Sequence, residues 1–246
     1  MSKNHIRSLE FKEHFLFGNL KFEDFKLINF IVGKNNTGKS VLLKELSEKN
    51  NTTLIDNFEL DIFKFKIQAN TEDNSFNIKE DDGLTAFLIY NFHKRVSELM
   101  LEKFYTFLRE NFDEDIDSLY GQKYPEVYFK APKTPIPFEQ CSKAFRQVVF
   151  TLLSFAEWKE GALLIESPES NLHPDLYKSY VKLLINLAYE LKTQLFIVSY
   201  NKEFMNCFAD YYYLTHNISV YKLSKSKVDK STVTYEMFCG VMLSYL

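Results

Sequence analysis

Cysteine, glycine and net positive charge are all in short supply in this 246-residue chain, and each shortage excludes something. The three cysteines, Cys141, Cys207 and Cys239, are too few and too scattered for a disulfide framework or a zinc site. They read as reduced thiols in or near a core, which points to a cytoplasmic protein. No apolar run approaches the roughly 20 residues that span a bilayer. The N-terminal "MSKNHIRSLEF" lacks the apolar centre of a signal peptide, so no membrane partner is expected. Thirty Lys and Arg stand against 33 Asp and Glu, a net charge of −3. That excludes a global basic surface for holding nucleic acid without sequence preference and leaves only a local patch open. What the chain does have is apolar and aromatic mass, 46% hydrophobic with 24 Phe and 15 Tyr. It is enough for one large soluble domain, or for a core domain with an inserted lobe.

Hydrophobic patterning places the elements. "HIRSLEFK" (5–12) alternates and reads as a strand, and "FKLINFIVG" (25–33) as a buried strand ending in glycine. "GKSVLLKELSEK" (38–49) reads as a helix whose apolar face carries Val41, Leu42, Leu43 and Leu46. The middle changes character. "FELDIFKFKI" (58–67) resembles an exposed strand, and 83–111 carries one long helical pattern with Leu88, Phe92, Val96 and Leu99 on a face. An acidic tract (110–117) reads as a solvated helix end or loop. Residues 57–123 therefore read as an insertion into a core made of 1–56 and 124–246.

Beyond it, the pattern gives a strand at 125–130, a loop at 131–139, a helix at 141–159 and a strand, "ALLIE", at 162–166. A helix at 175–192 and a strand, "QLFIVS", at 194–199 follow. A short helix at 202–208 precedes a closing hairpin formed by "YYYLT" and "ISVYKLSK", and "TYEMFCGVMLSYL" ends as a helix. Strands without polar alternation, alternating with helices, predict an α/β fold with a mostly parallel sheet covered on both faces.

The strongest signal is "GKNNTGKS" (33–40), which matches G-x-x-x-x-G-K-[ST] between a predicted strand and a predicted helix. Two of the chain's seven glycines lie in it. A chance match anywhere in such a chain has a probability of about one per cent. Gly33 and Gly38 let the backbone close on a phosphate where a Cβ would clash. The N–H groups across Gly33, Lys34, Asn35, Asn36, Thr37, Gly38, Lys39, Ser40 and Val41 offer donors at a helix N-terminus. Lys39 is expected to reach the β- and γ-phosphates and the Ser40 hydroxyl to ligate Mg²⁺. A guanine-reading N-K-x-D is missing, since "NKEF" (201–204) ends in Phe204, so the expected nucleotide is ATP.

Together with "LLIESPESNLHP" (163–174), this loop resembles the ABC-type ATPase heads of the OLD (overcoming lysogenization defect) and AAA-21-like families. In these the second motif runs hydrophobic-D/E-E-P-E-x-x-L-H-P. Leu163–Glu166, Pro168, Glu169, Leu172, His173 and Pro174 match it. The resemblance implies a P-loop fold of ABC-ATPase type with an N-terminal antiparallel portion and a mainly helical inserted lobe. It implies that Glu166 helps hold Mg²⁺. It also implies that Asn171 and His173, with Ser142 and Ala144 at the signature helix, face a second head when two heads close on nucleotide.

Three positions depart from that pattern. The family's catalytic glutamate is replaced by Ser167, a poor acceptor for a water proton. Pro168 is expected to hold Ser167 extended, and Glu169, beyond the proline, has no evident reason to substitute. The family's T-H-S is replaced by Ser199, Tyr200 and Asn201, and the glycine turn of the signature helix by "CSKAFRQ" (141–147). All three touch cleavage of the γ-phosphate. The expectation is a nucleotide-binding module, pairing with itself or with another ABC-type head and docking a separate effector, in phage defence or DNA maintenance. The alternative is a working ATPase coupled to DNA or to a partner, with Glu169 or the partner as base. Direct DNA binding by 57–123 is opposed by its acidity.

Overall fold

The structure, a computed structural model, describes residues 5–34, 36–50, 53–56, 81–121, 125–130, 134–215, 217–224 and 227–231. Its centre is a six-stranded sheet in the order β11-β10-β3-β9-β8-β4. The strands are β3 (Ile28–Gly33), β4 (Thr53–Asp56), β8 (Ala162–Glu166), β9 (Gln194–Val198), β10 (Ile218–Ser224) and β11 (Lys227–Ser231). Five run parallel, and β11 closes the edge antiparallel to β10. Two short strands precede them, β1 (Leu9–Glu10) and β2 (Lys21–Phe22), paired antiparallel. The strand expected over 5–12 is thus confined to Leu9–Glu10. In β3, β8 and β9 every residue is buried, because both faces of the sheet are covered.

The period of two decides which side chain goes where. Phe30, Val32, Leu163, Ile165, Leu195, Ile197 and Val220 enter the larger core. Its other walls are α2 (Asp81–Arg95), α3 (Glu98–Asn111), α4 (Lys143–Glu157), α5 (Tyr177–Glu190) and α6 (Lys202–Thr215). Their neighbours Ile31, Leu164, Phe196, Val198 and Tyr221 enter a smaller core with α1 (Lys39–Asn50) and Phe11, Phe17, Phe22 and Phe25 of the N-terminal segment. The described part of 57–123 carries α2, which packs on α4, α3, which packs on α5, and a strand, β5 (Ile116–Gly121). That strand pairs with β6 (Pro125–Phe129), which pairs with β7 (Ile136–Pro137) inside the expected loop 131–139.

Two helix expectations are corrected. The helix expected over 83–111 is two helices. The ladder stops after Arg95, and Ser97 caps α3 by accepting the Met100 N–H. The break resets the helical phase, so Met100, Phe104, Phe107 and Leu108 face inward and Leu99 is 60% exposed. "YYYLT" belongs to α6, which runs on to Thr215, so the hairpin partner of β10 is β11. The segments 58–67 and 234–246, read as a strand and a terminal helix, lie outside the described residues.

Candidate nucleotide site

β3, β9 and β8 are neighbours and parallel, so the loops that follow them leave one edge of the sheet side by side. The edge at the carboxyl ends of such strands is where open α/β sheets hold ligands. Here it gathers the 33–40 loop, Glu166–Asn171 and Ser199–Asn201.

The loop's two glycines are required by space as well as by conformation. Gly33 has φ 153° and Gly38 φ 92°. A Cβ on Gly33 would stand 2.5 Å from the Leu223 carbonyl oxygen, and one on Gly38 2.4 Å from Leu16 Cδ2 and 3.0 Å from the Phe17 ring. The loop is thus pressed between β10 and the turn 14–18, where His14 and Gly18 bond each other's backbone. That turn carries Phe15, an aromatic ring 87% exposed. Sequence reading missed it. A run of three aromatic or apolar residues at a turn, "FLF" (15–17), was the available signal.

Lys39 is buried, and its ammonium donates to the carbonyl oxygens of Gly33 and Lys34, each at 2.7 Å. The Tyr200 ring lies against the same ammonium, 4.6 Å from ring centroid to Nζ. Burial lowers the Lys39 pKa, and the Glu166 charge pulls it back up. The Thr37 hydroxyl donates to the Lys34 carbonyl at 2.9 Å, tightening the loop from inside. Ser40 Oγ donates to Glu166 Oε1 at 2.6 Å. Lys34, Asn36 and Thr37 lie on the loop. Val41 is half-buried against the smaller core, and Asn35 lies outside the described residues.

At the tip of β8 the expectation for Ser167 is overturned. Its φ is +50°, in the left-handed region and not extended. The register supplies the reason, because the Ser167 N–H donates to the Val198 carbonyl at 2.8 Å as the chain turns back over β9. That bond outweighs the steric preference Pro168 imposes on its predecessor. Ser167 is buried beside Glu166.

Glu169 also goes where sequence gave no reason to place it. It is buried and its Oε1 accepts the Ser199 hydroxyl at 2.7 Å, while Oε2 has no hydrogen-bond partner. Burial raises its pKa. The Ser199 hydroxyl and the backbone N–H groups of Tyr200 and Asn201 work against that rise. Tyr200 is 37% exposed, and burial with the Glu166 charge raises its phenol pKa.

The residues expected to face a second head are disposed as follows. Ser142 is exposed and caps α4 by accepting the Phe145 N–H, and Ala144 is half-buried against the larger core. Asn171, at φ 63°, and His173 are exposed, and His173 Nδ1 lies 3.1 Å from Asp175. What joins these two stretches is Gln147, buried on α4. Its Nε2 donates to the Pro168 carbonyl at 2.8 Å. Its Oε1 accepts from Ser170 Oγ at 3.3 Å and Asn171 Nδ2 at 3.1 Å. The signal for Gln147 was a polar residue amid "FRQVVF" (145–150), at a position the helical period buries.

The residues fit a magnesium-bound phosphate chain. Mg²⁺ keeps several waters and takes one or two protein oxygens, which Ser40 and Glu166 supply in contact with each other. Among the described residues no cluster of three or more His, Cys, Asp or Glu could hold a metal, and no helix is long and apolar enough to cross a membrane.

No protein family model matches the sequence, and no curated protein matches it. Solved structures do. A metal-chelate-type ABC transporter in an inward-facing conformation is 16% identical with a TM-score of 0.50, covering 89% of this chain and 77% of that one. The ATP-binding subunit of an ABC transporter is 15% identical with a TM-score of 0.50, covering 92% and 88%. The SMC head domain from Thermotoga maritima is 14% identical at 0.49, covering 93% and 98%, and adds no weight of its own. At such identities the likeness concerns architecture. The chain has the α/β, P-loop fold of ABC-type ATPase heads.

Proposed function

We propose that the chain binds ATP with Mg²⁺ in the loop from Gly33 to Val41 and cleaves it slowly or not at all. Nucleotide then serves to close two heads, either two copies or this chain and another ABC-type head, around a separate effector. The observation that carries the reading is the meeting of Lys39, Ser40 and Glu166 at one sheet edge with Ser167 next in line. In this reading the loop N–H groups and Lys39 hold the phosphates, and Ser40 with Glu166 hold the ion. When bound, Mg²⁺ draws charge from the phosphate oxygens. Ser142, Ala144, Asn171 and His173 face the second head. The division into a core of 1–56 and 124–246 with lobe 57–123 rests on the change of sequence pattern, a cytoplasmic setting on the sparse cysteines, and a role in phage defence or DNA maintenance on the sequence resemblance.

The alternative, a working ATPase with Glu169 as base, is opposed by where that carboxylate points. A base needs reach to the water it deprotonates, and Glu169 is buried and engaged with Ser199.

Titration calorimetry with ATP and Mg²⁺, paired with a phosphate-release assay, tests the reading. Micromolar-class binding that Lys39→Ala abolishes, with negligible phosphate release, is the expected result. Brisk turnover by the parent that Lys39→Ala removes would overturn the slow-hydrolysis part. No uptake at all would overturn the whole.

A further inference from the structure

The Lys39 ammonium is enclosed on two sides. The loop's own carbonyls take two of its protons, and the Tyr200 ring covers another side. Tyr200 is only partly packed, so its place against Lys39 depends on the backbone that carries it. That backbone is fixed by a short polar chain. Ser199 Oγ has a single proton and gives it to Glu169 Oε1 at 2.7 Å. This turns the oxygen's lone pairs to the Asn201 N–H, which donates to it at 3.1 Å. The Asn201 side chain is held at both ends, its Nδ2 donating to the Tyr177 hydroxyl at 3.0 Å and its Oδ1 accepting the Phe204 N–H at 3.0 Å. Tyr200 is the residue between these two anchors.

Glu169 is anchored in turn through its own loop. The Ser167 N–H is bonded to Val198, and Gln147 ties down Pro168, Ser170 and Asn171. The Glu169 carboxylate therefore works from a rigid base.

We propose that Glu169 is a positioning residue: through Ser199 it holds the Tyr200 ring against Lys39, so that ring and loop carbonyls together occupy the ammonium until an anion displaces the ring. Glu169 thereby sets how readily Lys39 accepts a phosphate without touching either. This rests on the nucleotide reading above for the identity of the anion, but the contact itself does not.

The test separates the two. A ring face shifts protons above it upfield, so the ε-methylene protons of Lys39, observed in isotope-labelled full-length protein without nucleotide, report the contact. The parent is expected to show an upfield Lys39 signal that Tyr200→Ala removes. Glu169→Ala and Ser199→Ala are expected to lose most of that shift, and Glu169→Gln, which keeps an acceptor for the Ser199 hydroxyl, to restore it. Titration with adenosine diphosphate then reads the consequence. Tyr200→Ala, Glu169→Ala and Ser199→Ala each bind about two- to fivefold more tightly, the size of one exposed cation–π contact.

An upfield signal that survives both Glu169→Ala and Ser199→Ala overturns the proposal, as does weaker diphosphate binding in those variants. Ser199→Ala guards against a folding failure of the Glu169 variant, since it removes one hydroxyl only. If the parent binds no nucleotide, the functional reading falls while the Lys39 signal still decides this one.

Discussion

Ser40 and Glu166 lie 126 residues apart in sequence, yet the Ser40 hydroxyl donates to Glu166 Oε1 at 2.6 Å. The bond exists because β3 and β8 flank β9 and end at the same edge of the sheet. A helix that starts directly after the phosphate loop then puts its second residue, Ser40, beside the tip of β8.

Removing either partner should alter magnesium dependence more than nucleotide uptake itself. Ser40→Ala or Glu166→Gln is expected to weaken Mg²⁺-ATP binding about tenfold, the lower end of what loss of one metal-site group costs. Affinity measured with a chelator present should change little. Calorimetry with and without magnesium checks this.

Ser167 offers a test of the proposal that one missing carboxylate limits hydrolysis. Ser167→Glu is expected to raise phosphate release by about 10²-fold, the scale of general-base assistance. Ser167→Gly should leave release near zero but stabilise the fold by about 1 kcal/mol, because a non-glycine residue at positive φ carries a penalty of that order. Urea unfolding measures the second effect.

The glycines should not be equivalent. In Gly33→Ala the new Cβ meets a backbone oxygen, Leu223 O, which cannot move without displacing β10. A loss of roughly 3 kcal/mol is expected. At Gly18, φ +58°, no atom lies within 4 Å of an added Cβ, so alanine there should cost only the conformational term, about 1 kcal/mol. Thermal unfolding of the two variants should separate strain from collision.

A pH effect is expected away from the candidate nucleotide site. His93 on α2 shares a 2.6 Å hydrogen bond with the Tyr105 hydroxyl on α3, which also accepts the Leu119 N–H of β5. The other ring nitrogen bonds the Ile89 backbone, which leaves Nε2 of a neutral imidazole to accept the Tyr105 proton. Burial lowers the His93 pKa, a backbone bond to Ile89 partly opposing it, and burial pushes Tyr105 up to about 12. A histidine whose folded pKa lies below its unfolded value of about 6.5 stabilises the fold above that value. Stability should then fall as pH drops below about 6.5. The fall should be weaker in His93→Gln, read from the urea midpoint between pH 5 and 8.

Parts of the fold were legible because they are local. "INFIVG" (28–33) has no polar alternation and becomes a strand buried on both faces, and the glycine spacing of 33–40 marks the turn into α1. The helix break at Val96–Ser97 was not legible. Leu88, Phe92, Val96 and Leu99 keep a helical period across it, and only packing on α4 and α5 shows that Met100, not Leu99, faces inward. "YYYLT" (211–215) suits strand or helix by propensity, and its place at the end of α6 settles which.

The site divides in the same way. The chain's own order of residues determined the turn of the 33–40 loop, since its glycine spacing and the bonds of Thr37 and Lys39 to the Gly33 and Lys34 carbonyls lie within a few residues. It also determined that Ser167 stands where a second acid was expected. Tertiary structure alone decided that Ser167 adopts a left-handed backbone, that Glu169 turns to Ser199, that Tyr200 lies on Lys39 and that Gln147 ties α4 to the loop after β8. Each of those depends on which strands become neighbours, and strand order follows from the burial of whole faces, which no short stretch of sequence contains.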